Sequence, residues 1–317
     1  MKRFLNVMLP VLIMAIVVFL CIGVYLFFTT DMVKKDNDSS LSTEKIEESI
    51  ILSQNELPRI GCSALTKQLS SAIIKNFTQD ENIDDSVFDV KSTEEGFNSL
   101  IKDEIDVLIS TYPTDDIITF AKANGVDLEI TPIAKDGFVF FTNAENVVDS
   151  LKVSDIQKIY TGQVTNWSQI GGENIDIKAF QTPENSAIQN EMVNSVMKNL
   201  KMVGAPKDVF YTKKFGEISD LIATYDNTEG ALGYSYYYAT KILYDTDAKI
   251  DNTIKILKVN GVMPNYDTIK KNDYPIITNY YLIRNKNNQS ESLNIFTDAV
   301  LSDRGKNVIK EAGYVEN

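Results

Sequence analysis

The 317-residue chain carries a formal net charge of −13, contains no histidine and is 44% hydrophobic. Its acidity, with no Lys/Arg cluster interleaved with aromatics, excludes the basic footprint of a nucleic-acid binder, and the lack of histidine removes the commonest metal ligand and general base. The length suits about two domains with a sizeable core; no nucleophile–base pair or metal constellation stands out, so neither catalysis nor a cofactor is expected.

Lys2 and Arg3 precede an apolar run from Phe4 to Phe28. A bilayer core takes roughly 20 residues of helix, whereas a signal-peptide core is about 7–15, so the run is long enough to span. Positive residues ahead of it place the N-terminus inside and the rest of the chain outside. Cys21 raises a lipoprotein anchor as an alternative, but bulky Leu20 stands where that signal wants a small residue, so Cys21 reads as a cysteine of a membrane helix. With Cys62 as the only other thiol, no intramolecular disulfide is expected. Thr29–Leu57 is polar and reads as a stalk, with a short helix from Ser42 to Leu52.

Pro58 ends the stalk. Arg59–Ala64 reads as a strand and a small-residue loop, followed by a helix from Leu65 to Phe77 with Leu65, Leu69, Ala72, Ile73 and Phe77 at helical spacing. A strand, a small loop and a helix start form a natural anion site. Thr93–Lys102 reads as a helix. Asp106–Pro113 reads as a buried strand running out into a loop, and Thr114 as the cap of a helix that runs to Ala123 and stops at Asn124–Gly125. Leu128–Ile133 is expected as one strand and Phe138–Phe141 as another. Ser154 is expected to cap a short helix with Leu151, Ile156, Ile159 and Tyr160 inward. Ile175–Gln181 reads as a strand, and Thr182–Ser186 leads into a helix from Ala187 to Leu200. A further helix is expected at Ile218–Tyr225, strands at Ala231–Tyr236, Ile254–Val259 and Tyr280–Arg284, and closing helices at Leu293–Leu301 and Gly305–Ala312. Trp167 is expected to pack a turn; Tyr234, Tyr236, Tyr237 and Tyr238 read as core and cleft lining rather than a sugar-stacking platform.

The order PIAKDGFVFFTN (from Pro132), VSDIQKIYTGQVTNWSQIGG (from Val153), FQTPENSAIQNEM (from Phe180), Gly230–Tyr236, Val259–Val262 and Val300–Val315 resembles the phosphate-binding, PstS-like solute-binding proteins of ABC importers. The resemblance runs from about Pro58 to Val315. It implies an α/β fold of the two-lobed periplasmic-binding-protein type II, with two crossing strands, behind the N-terminal transmembrane helix. The expected division is anchor 1–30, stalk 31–57, one lobe from 58–136 with 275–317 and a second lobe from 137–274.

The resemblance also implies the ligand positions Ser63, Ala64, Ser110, Thr111, Thr182, Asn185, Ser186 and Ala187. In the family the first loop carries Gly-Ser-Thr; here Cys62, Ser63 and Ala64 stand there. Thr111 replaces an aspartate that accepts the proton of hydrogen phosphate. Thr182 replaces an arginine, and Ala187–Ile188 replace Gly-Ser. Ser110 and Thr111 are either ligand contacts or strand-end hydroxyls satisfied by backbone, and Lys135 is a hinge or surface residue. The implied function is a membrane-anchored, extracytoplasmic, monomeric binding protein that passes a small, phosphate-like oxyanion to an ABC permease. The alternative is a surface sensor or adaptor with a degenerate pocket. Loss of an Arg fork, a contact worth about 1.5–3 kcal/mol, implies weak phosphate binding, with little rejection of sulfate.

Overall fold

The computed structural model describes residues 52–63, 65–79, 87–182, 186–198, 200–204, 228–246 and 253–317. The Phe4–Phe28 run, the polar segment as far as Ile51 and the expected Ile218–Tyr225 helix lie outside the described residues. Among the described residues, no helix is long and apolar enough to cross a membrane.

One nine-stranded sheet in two halves organises the molecule. In the first half β1 (Ile60–Ser63) runs parallel to β2 (Phe88–Lys91) and β3 (Val107–Ser110). The first two connections are helical: α1 (Lys67–Thr78) joins β1 to β2, and α2 (Thr93–Ile101) joins β2 to β3. α1 exists because Leu69, Ile73, Ile74 and Phe77 form a buried stripe at helical spacing. α2 is set by Ser92, whose hydroxyl accepts the Glu95 N–H while the Glu95 carboxylate accepts the Ser92 N–H; such a box stabilises a helix start by about 1 kcal/mol. Phe97, Leu100, Ile105, Leu108 and Ile283 form a buried cluster under α2. Thr114 caps α3 (Asp115–Ala123) through the Ile117 N–H at 3.3 Å, as its sequence suggests.

β3 pairs antiparallel with β10 (Ile277–Asn285), and β10 with β4 (Leu128–Asn143). β4 is a single 16-residue strand and not two. Its first part belongs to the first half-sheet. Its second part, Phe138–Thr142, pairs with β7 (Ala231–Tyr236), which in turn pairs with the two-residue β6 (Lys178–Ala179). β8 (Ile254–Ile256) pairs with the end of β4, and β11 (Val315–Glu316) pairs with Lys135 and Ala134. β4 and β10 are thus the two crossing strands, and the α/β architecture is two-lobed. A Cβ at Gly137, in the crossing, would come 3.1 Å from Ile269 and 3.4 Å from Tyr274, so a larger residue there requires the Ile269 side chain to shift by a few tenths of an ångström.

Several boundaries differ from the sequence reading for physical reasons. Leu52 is buried, and its N–H bonds the Phe77 carbonyl, so the chain joins the folded body ahead of Pro58. α4 (Val153–Tyr160) starts at Val153; Lys152 is the cap residue, and its N–H, not a Ser154 cap, bonds the Asp155 carboxylate at 3.3 Å. The expected Ile175–Gln181 strand shrinks to β6 because only two of its residues find ladder partners on β7. The helix from Ala187 remains α-helical only to Glu191 (α5) and then widens into a π-turn over Met192–Met197. The Ile254–Val259 run splits into β8 and β9 (Lys258–Val259), since Lys258 and Val259 pair with β5 (Ser150–Leu151) instead of β4. Tyr237 and Tyr238 leave the strand and begin α6 (Tyr237–Thr246). β10 extends beyond the expected Tyr280–Arg284 at both ends. α7 (Tyr266–Lys270), α8 (Glu291–Leu301) and α9 (Asp303–Glu311) complete the chain. Trp167 is buried, with its indole N–H on the Gly230 carbonyl at 3.2 Å; the surface pocket beside it is lined by Glu145, Glu173 and Glu229.

Candidate functional site

Parallel strands followed by helices leave their C-terminal ends open to ligand. At the end of β1, Ser63 is buried and its N–H bonds Thr66 Oγ1 at 3.1 Å. The Ser63 and Thr66 hydroxyls lie 3.1 Å apart, and Thr66 donates to the Ile109 carbonyl of β3 at 2.6 Å. Thr66, absent from the sequence-derived set, therefore clamps the β1 loop to the end of β3. α1 starts without a side-chain cap from Thr66, and the Leu69 N–H of its first turn bonds the Tyr314 phenol oxygen.

Ser110 ends β3. It is 0% exposed, and its hydroxyl has no partner among the described residues. A buried, unpaired hydroxyl costs about 1–3 kcal/mol and calls for a ligand or water. Thr111 follows, also buried, and then Tyr112, which is 55% exposed. The Tyr112 ring meets the Tyr281 ring edge-on at 5.4 Å, and Tyr281 stands opposite Ser110 in the β3–β10 register. Ala64 and Asn185 lie outside the described residues.

On the other lobe, Thr182 and Ser186 do come together, but in a closed ring, with Ala187 following Ser186 as the first residue of α5. Ser186 caps α5 by accepting the Gln189 N–H at 3.1 Å and donates to Thr182 Oγ1 at 2.9 Å. Thr182 donates to Gln189 Oε1 at 3.3 Å, and the Tyr234 hydroxyl donates to the same oxygen. Each hydroxyl has one proton, so all three are spent inside the ring. Gln189 and Tyr234 were not among the sequence candidates; their signal is only that both are amphipathic side chains on elements that face the loop.

Glu191, at the end of α5, is half-buried. It accepts from Ser195 on its own helix and from Thr278 of β10 at 2.9 Å, which ties the second lobe to a crossing strand. Burial, then the charge of Glu191, pushes the Tyr236 phenol well above its ordinary range, and Glu191 also helps to raise Tyr281. The Tyr236 oxygen is buried beside Thr278 but makes no well-formed hydrogen bond. The three arginines of the described body are all engaged elsewhere. Arg59 forks to Asp106 and Asp103, Arg284 binds Glu129 and Asn294, and Arg304 binds Asn76. Lys135 reaches Asn272 at 3.3 Å, on the surface.

Where β4 crosses between the half-sheets, Asp136 is buried in a ring of phenols. It accepts from the Gly137 N–H at 2.7 Å, from the Tyr238 N–H at 3.2 Å and from the Tyr280 hydroxyl at 2.8 Å. Burial with no cation pushes its carboxyl up to about 7, the three hydrogen bonds offsetting only part of the cost. Among the described residues no cluster of acidic or thiol side chains could hold a metal ion.

Comparison with known proteins agrees with this architecture. A family model described as a PBP superfamily domain matches residues 59–304. The phosphate-binding protein PstS of Borreliella burgdorferi is 23% identical over 262 residues, covering 81% of this chain and 88% of that protein. PstS of Staphylococcus aureus is 24% identical over 233 residues, 69% of this chain and 66% of that protein. Among solved structures, a candidate phosphate ABC transporter substrate-binding protein of Clostridium perfringens, with bound phosphate, superposes with a TM-score of 0.61 at 18% identity, covering 82% of this chain and 99% of the other. An ABC-type phosphate transport receptor of Vibrio cholerae gives 0.60 at 20% identity, over 81% and 99%. A match across residues 59–304, most of the chain, makes this chain a member of the PBP superfamily.

Proposed function

We propose that the protein is an extracytoplasmic solute-binding protein of an ABC importer, held to the membrane by Phe4–Phe28, that takes a small phosphate-like oxyanion in the cleft between lobes 58–136 with 275–317 and 137–274. The carrying observation is the buried, unpartnered Ser110 hydroxyl beside Thr111, at the end of the strand that Thr66 clamps to the β1 loop. A buried hydroxyl without a partner calls for a ligand or water, and a bound oxyanion supplies the acceptor. The PstS relatives support the ligand class and the transport setting. Binding rather than catalysis is the reading, with the protein acting as a monomer and handing its ligand to a permease after hinge closure.

Isothermal calorimetry of the chain against phosphate and sulfate tests this. Phosphate binding in the micromolar range or weaker supports it, and no heat with any small oxyanion overturns it. One observation favours a second reading: the Thr182–Ser186–Gln189–Tyr234 ring satisfies the lobe-2 loop internally. A pocket closed on itself suits a surface sensor or adaptor that binds no oxyanion, and the same calorimetry separates the two.

A further inference from the structure

The half-sheets are joined by β4 and β10, and the pairing of these strands is locally irregular. Their register shifts between Tyr280 and Tyr281, opposite Ala134 and Pro132. Such an irregularity bends a strand, and a bent two-strand crossing is a natural hinge. A third stretch of chain lies against this point: β11 pairs with Lys135 and Ala134 of β4.

The path of that stretch is set at the end of α9. The Gly313 N–H bonds the Lys310 carbonyl, and the Tyr314 N–H bonds the Ile309 carbonyl. This helix stop needs a left-handed residue, and Gly313 has φ +90°. A Cβ at Gly313 would also come 2.8 Å from the Tyr238 ring, so the close approach to α6 is made by a glycine. Buried Tyr314 then reaches both halves. Its phenol oxygen accepts the Leu69 N–H of α1, in the first half. Its ring lies on the Tyr238 ring, with centroids 3.6 Å apart, and Tyr238 belongs to α6, which follows β7 of the second half. The Tyr238 hydroxyl donates to the Ala312 carbonyl, and its N–H to Asp136 of β4. Two residues beyond Tyr314, the Glu316 carboxylate accepts from Tyr266 at 2.7 Å and from Lys270, both of α7.

We infer that Gly313–Glu316 is a strap across the hinge, which restrains the angle between the half-sheets and so limits how far the cleft opens. Ala312 and Tyr314 travel with α9 and α1, whereas Tyr238 travels with β7. A swing of one half against the other therefore has to pull the Tyr238–Tyr314 stack and the Tyr238–Ala312 bond apart. The inference goes beyond the binding reading and is tested without a ligand.

The test is pulsed electron–electron double resonance on the full chain in mild detergent. Cys21→Ala removes one thiol, and Cys62 is fully buried. Nitroxides are attached after Lys122→Cys and Asn174→Cys, at exposed positions with one in each half. Tyr314→Ala is expected at least to double the width of the distance distribution. The double variant Tyr238→Phe with Glu316→Gln, which keeps every ring in place, is expected to broaden it in the same direction. Ser92→Ala loosens the start of α2 away from the strap and is expected to leave the width unchanged. An unchanged width in the double variant, with its near-UV signal intact, overturns the inference, whether or not Tyr314→Ala folds. Equal broadening by Ser92→Ala also overturns it, since general loosening then accounts for the effect. Either failure leaves oxyanion binding standing, because calorimetry decides that separately.

Discussion

Replacing Asp136 by asparagine removes the buried carboxyl from the crossing while keeping its shape. Its ordinary value is 3.8 and its folded value about 7. Because burial raises the folded value, folding takes up a proton between those limits. The carboxyl's contribution is therefore intact below pH ~4 and is lost as the pH rises through 7. At ~1.4 kcal/mol for each tenfold step, the full gap amounts to about 4 kcal/mol, of which about 3 kcal/mol falls between pH 5 and pH 8. The substituted amide cannot ionise, yet its carbonyl still accepts from the Gly137 and Tyr238 amides, and its NH2 can turn to the Tyr280 oxygen. The facing groups on neighbouring elements are phenols (Tyr236, Tyr274, Tyr280 and Tyr314), themselves raised chiefly by burial, so none titrates in this window. Thermal and urea unfolding of both proteins at pH 5 and pH 8 measure the effect. Taking the difference between the proteins at each pH cancels pairs such as Arg59–Asp106 that respond to acid in both. The stability difference is expected to shift by about 3 kcal/mol in favour of Asp136→Asn on going to pH 8, or about 5–10 °C in Tm. Parallel pH profiles for the two proteins would refute the reasoning, since a solvated or cation-paired carboxyl gives no such crossing.

Other outcomes follow from the site and the termini. Thr182→Arg with Ile188→Ser should tighten phosphate binding at least tenfold by calorimetry, because it opens the closed ring and supplies a fork for two oxygens; unchanged affinity would place the anion elsewhere. Residues 52–317 produced without the N-terminal run should be monomeric by light scattering and unfold cooperatively, since Leu52 already joins the core; a persistent aggregate without near-UV signal contradicts this. Mass spectrometry of the membrane fraction should find the N-terminal run intact, and a diacylated Cys21 would count against the anchor proposed above.

How much of this was written legibly in the chain depends on the kind of signal. Stripes and caps were readable: Leu69, Ile73 and Phe77 mark α1, and Thr114 marks α3. The unity of β4 was not, because Lys135, Asp136 and Gly137 are weak strand formers in mid-run. They remain extended because β10 supplies a partner throughout and the Asp136 carboxyl takes the Gly137 amide. Residue types at the site were legible, but not the direction of their protons. Thr182 and Ser186 look like donors in a list, yet Ser186 donates to Thr182 and Thr182 to Gln189. Glu191 reads as an ordinary helix-surface charge, and only the fold brings Thr278 to it across 87 residues of chain.

The unequal support of the crossing strand has a consequence for amide hydrogen exchange. At Ala134 and Lys135 the strand is flanked on both edges, by β10 and by β11. At Phe141 and Thr142 it is flanked again, by β7 and β8. Between them, at Asp136 and Gly137, β10 alone is alongside among the described residues, and the Gly137 amide is held by a side chain in place of a ladder. Deuterium should therefore enter slowly at both ends of this stretch and sooner at its middle. The uptake there should quicken as Asp136 ionises, which gives the hinge a local clock that can be read without any ligand.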